Sequence, residues 1–171
     1  MAAAVPLPPN PALWIAAILG YTEEVRLLLV AGADAEEKGG CPACSALQAA
    51  SMVGHYDVIL LLIEHGADVL VRDCNGDTLL HVAALHGREA VVLLLLQRGV
   101  DVLAKNVAGI TPEQYAKHAS HPHAVLLIKA EAARRVERHT AFAMGQLERL
   151  GAQSWVQGLD ADVVRMVLEQ V

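Results

Sequence analysis

Gly20, Gly54 and Gly87 stand 34 and 33 residues apart, and Gly32, Gly66 and Gly99 follow with the same two intervals. A period of this length constrains the fold more than any local propensity, because it means stacked copies of one small unit, none of which buries its apolar face alone. Between the two glycines of each unit runs an apolar stretch, at 25–30, 58–63 and 91–96, and each second glycine opens a GAD or GVD tripeptide.

Each unit reads as two short antiparallel helices whose ends are written in the sequence. Asn10, Ser45, Thr78 and Thr111 are placed to accept a hydrogen bond from a free amide of a first turn, and Pro11 and Pro112 suit the first helical position. The glycines at 20, 54 and 87 close the first helix and those at 32, 66 and 99 the second. Helices this short do not persist alone, so stacking must hold them. The small pairs Ala16–Ala17, Ala49–Ala50 and Ala83–Ala84 let successive units approach closely, and the leucine runs fill the space between. Composition agrees: 54% of the 171 residues are hydrophobic, enough for one core, while aromatics reach only 4%, which favours packed helices over sheets.

The unit from Asp73 to Gly99, DCNGDTLLHVAALHGREAVVLLLLQRG, resembles an ankyrin repeat, with Gly76, Thr78, Leu80, His81, Ala83, Ala84 and Gly87 in the family's order. A second unit keeps Leu47, Ala50, Gly54, His55 and Gly66 but has Ala46 and Gln48 at the usual Pro and His positions; the first has Trp14 in place of the histidine. A fourth begins with Thr111 and Pro112, then has Ser120 where glycine is expected. The expectation is an all-α solenoid of about four repeats (10–38, 39–72, 73–105 and 106–139) behind a Pro-rich lead, 1–9, with a helical extension over 140–171. The family's histidine usually bonds neighbouring loop backbone, so His81 and His55 read as structural, and Thr78 beside His81 as a cap, not a nucleophile and base.

The resemblance implies a non-enzymatic protein-binding module without cofactor, acting as a monomer through a concave face lined by the ends of the first helices. Those ends carry Ile18 and Leu19, Met52 and Val53, Leu85 and His86, then His118 and Ala119, six of the eight apolar. Such a stripe suits a partner's helix or extended segment, with Met52 adding adaptability; the alternative is that the N-terminal prolines or the C-terminal segment fold over it. Fingertip residues Asn75 and Asp77, Glu36, Glu37 and Lys38, with His65 and Arg98 at second-helix ends, add polar selectivity or simply a solvated rim.

Other chemistries find less support. The net charge of −6, with 5 basic against 11 acidic residues in the first hundred positions, does not make a phosphate-tracking surface for nucleic acid. No apolar run is long enough to span a membrane, and prolines without a preceding Lys or Arg crowd the front of the stretch at 12–19, unlike a secretion signal. Three cysteines, an odd number, fit a reducing compartment, cytosolic or nuclear. Cys41 and Cys44 form a CPAC loop, which leaves a small zinc or redox protein as an alternative, although Cys74 is the only further cysteine and no strand-to-helix context lowers a thiol pKa. His118, His121 and His123 cluster around Pro122, a residue suited to the start of the next helix.

The tail divides into a helix over 124–138, a second capped by Thr140 with Ala143, Met144, Leu147 and Leu150 on one face and stopped by Gly151, and a third from Leu159. Asp160 would cap that last helix, with Val163, Val164, Val167 and Leu168 on one face. Leu159 and this helix resemble the first helix of an F-box, which implies an alternative role as substrate adaptor of a cullin-type ubiquitin ligase, with those residues contacting ligase subunits. The departures are Asp160 in place of the proline of the usual LP pair and an end at Val171, before further F-box helices fit. The other reading is a cap over the last repeat.

Overall fold

The computed structural model describes residues 11–36, 38–39 and 44–149. The elements are α1 (Pro11–Leu19), α2 (Thr22–Val30), β1 (Lys38–Gly39), β2 (Cys44–Ser45), α3 (Ala46–Val53), α4 (Tyr56–Glu64), α5 (Leu79–Leu85), α6 (Glu89–Gln97), α7 (Pro112–His118) and α8 (Pro122–Arg149). β1 and β2 are two-residue strands that pair Lys38 with Ser45 and Gly39 with Cys44. Contacts divide the chain into 1–129 and 130–171.

Helices start where the sequence places their caps. Ser45, Thr78 and Thr111 each accept from the amide three residues on, and the side chains of Gln48, His81 and Gln114 bond back to the cap amide, closing three reciprocal boxes. The proposed caps Asn10 and Asp160 lie outside the described residues. In the loops, the aspartates of the GAD and GVD tripeptides repeat a device of their own: Asp34, Asp68 and Asp101 each accept, through Oδ1, the amide two residues on.

Within 1–129, α1, α3, α5 and α7 form one row, more closely packed than the row of second helices. Alanines explain the difference, since Ala17, Ala49, Ala50, Ala83, Ala84 and Ala116 are fully buried with almost no side chain to hold the backbones apart. A row that packs more tightly than its neighbour curves the stack toward itself, which puts the first helices on the concave side. Leu47, Ile59, Leu62, Leu80, Leu95 and Ile128 fill the core between the rows.

The expected second tail helix does not begin at Thr140. The helix α8 runs through that residue, and the Thr140 hydroxyl donates to the carbonyl of Glu137 at 2.9 Å instead of accepting a first-turn amide. No glycine or proline falls between Pro122 and Gly145, so nothing in the sequence stops the helix there. Within the second unit Glu131 pairs with Arg134, Arg135 and Arg138, and the hydrogen bond from Arg138 above all holds its carboxyl below the usual carboxylate range.

Candidate functional site

The first-helix ends are held by the unit that follows. His55, next after Gly54, donates from Nε2 to the carbonyl of Ile18 at 3.1 Å, and Arg88, next after Gly87, donates from Nε to the carbonyl of Met52 at 2.9 Å. Both side chains lie across the preceding glycine: a Cβ on Gly20 would fall 2.5 Å from the His55 ring, and one on Gly54 2.8 Å from Arg88. His121 covers Gly87 in the same way. These glycines therefore do two jobs, turning the chain at positive φ and leaving room for the next unit's side chain. Carbonyls that would otherwise be free at a helix end are satisfied across the repeat boundary, which fixes the side chains beside them.

Leu19 is 53% exposed and Leu85 39%; His86 is also exposed, while Ile18, Met52 and Val53 are half-buried. His118 is exposed and Ala119 half-buried. Partial burial and then the charge of Arg88 push the His86 pKa down, so at neutral pH this imidazole adds no charge to the row.

The fingertip residues divide. Asn75 is exposed, and its carbonyl accepts the Val107 amide of the next finger. Asp77 is only 6% exposed, and the expectation of a polar contact for a partner fails there. Its Oδ1 accepts from Asn106 Nδ2 at 2.8 Å and its Oδ2 from the Tyr115 hydroxyl at 3.3 Å, so the carboxylate is spent joining the third unit to the fourth. Burial, then the charge of Asp77, push the Tyr115 phenol up. Of the other rim residues, Glu36, Lys38, His65 and Arg98 are exposed.

His81 is fully buried. Its Nδ1 accepts the Thr78 amide and its Nε2 donates to the carbonyl of Ile110 at 3.0 Å, which accounts for both ring nitrogens without catalysis. Its ring also meets Tyr115 edge-on at 5.7 Å. At the matching position of the second unit the buried Nε2 of Gln48 has no hydrogen-bond partner among the described residues, whereas the Trp14 indole of the first interacts with the Cys44 sulfur.

Cys41 and Glu37 lie outside the described residues; Cys44 is half-buried, and desolvation pushes its thiol up, away from the thiolate that redox chemistry needs. Among the described residues no group of three or more His, Cys, Asp or Glu side chains is placed to hold a metal ion. His123 pairs instead with Glu89 at 3.0 Å. No helix among the described residues is long and apolar enough to cross a membrane. The tail residues Leu159, Val163, Val164, Val167 and Leu168, proposed for a ligase contact, lie outside the described residues, as do Leu150 and Gly151.

A family model of ankyrin repeats, in three copies, matches residues 13–106, more than half of the chain. The chain belongs to the ankyrin-repeat family. An ankyrin repeat-containing protein of the fission yeast Schizosaccharomyces pombe is 38% identical over 74 residues, which is 42% of this chain and 34% of that protein. The chain thus spans about a third of that relative's length. The three matched ankyrin repeats carry the pairs α1–α2, α3–α4 and α5–α6; the fourth pair, α7 with the start of α8, lies beyond the match. No part of 159–171 falls within the match. Ankyrin repeats are protein-interaction modules and the family is generally non-enzymatic.

Proposed function

We propose that this chain binds a protein partner through the concave row formed by Ile18, Leu19, Met52, Val53, Leu85 and His86, with Asn75 as a polar contact at the adjoining fingertip. The observation that carries the reading is the tie between repeats. Backbone carbonyls of Ile18 and Met52 are held by His55 and Arg88, so apolar side chains left open to solvent stand on a rigid frame. Preorganised apolar groups lose little entropy on docking, and a partner's amphipathic helix or extended apolar segment supplies the matching face. Asp77 is withdrawn from this surface because its carboxylate is engaged inside the fold.

The test is capture of partners by the wild-type chain, by Met52→Glu with Leu85→Glu, and by Leu93→Glu, which places the same charge on an exposed leucine of a second helix. Circular dichroism first establishes that all three are folded. A partner retained by wild type and Leu93→Glu and lost by the double variant supports the concave reading. Retention by the double variant overturns it.

A further inference from the structure

The ends of the first helices and the residues just after them, 17–21, 51–55, 84–88 and 117–121, hold none of the chain's 19 acidic residues, although the net charge is −6. Their character changes along the stack. The first repeat offers Ile18, Leu19 and Tyr21, and the second Met52 and Val53. From the third repeat on the same positions turn polar and basic: Leu85 is followed by His86 and Arg88, and the fourth repeat carries Lys117, His118 and His121. His121 lies across Gly87, which separates His86 from Arg88, so three basic side chains converge on the end of α5. Arg88 spends its Nε on the Met52 carbonyl, and its Nη nitrogens have no partner among the described residues. The carboxylates that flank this region in sequence are already engaged, Glu89 by His123 and Glu113 by both Lys117 and Lys129. An apolar row therefore ends in exposed basic groups, His86, Arg88 and His118, that no described carboxylate pairs.

We propose that the protein segment bound along the concave row is itself divided, an apolar stretch lying over Ile18, Leu19, Met52 and Val53 and a cluster of Asp or Glu side chains over His86, Arg88 and His118. This rests on the concave-face reading and adds the chemical class of what binds there. With Nε taken, the guanidinium of Arg88 still presents its two Nη groups as a fork, the geometry that grips a carboxylate through two hydrogen bonds. Its tie to Met52 holds that fork in place before a partner arrives, which lowers the entropy lost on docking. The imidazoles of His86 and His118 add N–H donors beside it. A wholly apolar segment would desolvate these groups without satisfying them, and a basic one would meet like charge, so both are selected against. Neighbouring first helices stand about 8–10 Å apart, so three steps from the first repeat to the fourth are spanned by about nine extended residues or about 20 helical ones.

Selection of displayed random peptides of about 20 residues on the full wild-type chain, followed by fluorescence anisotropy of the enriched peptides, tests this. The expected peptides join an apolar run to several Asp or Glu residues, lose binding to Met52→Glu with Leu85→Glu, and are weakened by added salt. His86→Glu with His118→Glu should weaken them about tenfold, and His86→Lys with His118→Lys should strengthen them. The side chains of His86 and His118 form no hydrogen bond among the described residues, so circular dichroism should find both of these variants folded. A selection that enriches no acidic class, or acidic peptides indifferent to the His86 and His118 changes, overturns the proposal. If the enriched peptides are neutral or basic yet still depend on Met52 and Leu85, the acidic assignment falls and the concave-face reading stands. If they bind the Met52→Glu, Leu85→Glu variant as well as wild type, both fall.

Discussion

Ser120 holds φ at +60°, a left-handed conformation that the preceding repeats give to Gly20, Gly54 and Gly87. Those three glycines sit beneath His55, Arg88 and His121, while Ser120 is exposed, so a Cβ collides with a neighbour at the first three positions and is free at the fourth. Serine there still bears the intrinsic cost of left-handed backbone, about 1–2 kcal/mol. Ser120→Gly is thus expected to raise unfolding stability by about 1 kcal/mol, and Gly87→Ala to lower it by about 2 kcal/mol or more, because it adds backbone strain and displaces His121. Urea denaturation of the two variants measures both. In the sequence, Ser120 looks like drift from the repeat; its tolerance depends on what lies above it, which no local pattern contains. Asp77 was misread for a related reason, since its partners Asn106 and Tyr115 are 29 and 38 residues away.

Helix boundaries were legible where a side chain and an amide three residues apart make the cap, as at Ser45, Thr78 and Thr111. They were illegible where the same residue type sits inside a longer helix, as at Thr140, and there the uninterrupted run without glycine or proline was the better signal. The two threonines give a paired test. Thr78→Ala removes a first-turn acceptor and should lower stability by about 1 kcal/mol. Thr140→Ala removes only a hydroxyl bonded within its own helix and should leave stability unchanged or raise it by up to about 0.5 kcal/mol, since alanine is the better helix former. Thermal melts followed by circular dichroism separate them. Outward positions on the second helices show a further limit of pattern reading: Leu27 and Leu61 are indistinguishable by period, yet one is open and the other buried.

At the scale of the molecule the architecture was readable from the glycine period and the alanine pairs, because stacking distance follows from side-chain size. The strength of each repeat boundary was not readable, because it depends on which side chains meet across it. The third and fourth repeats are joined by His81 to Ile110, Val107 to Asn75 and the bonds of Asp77 to Asn106 and Tyr115. Across the first boundary the ties are His55 to Ile18, the Asp68 amide to Glu36 and the pairing of Lys38 with Ser45, with no buried carboxylate group like that of Asp77 among the described residues. Native-state hydrogen exchange should accordingly show α1 and α2 opening at lower free energy than α5 and α7; equal protection of the two ends would contradict this. Under tension such a stack is a spring with unequal coils. Its N-terminal coil is expected to yield before the joint between the third and fourth, so a pull along the stack would be taken up first as local extension there.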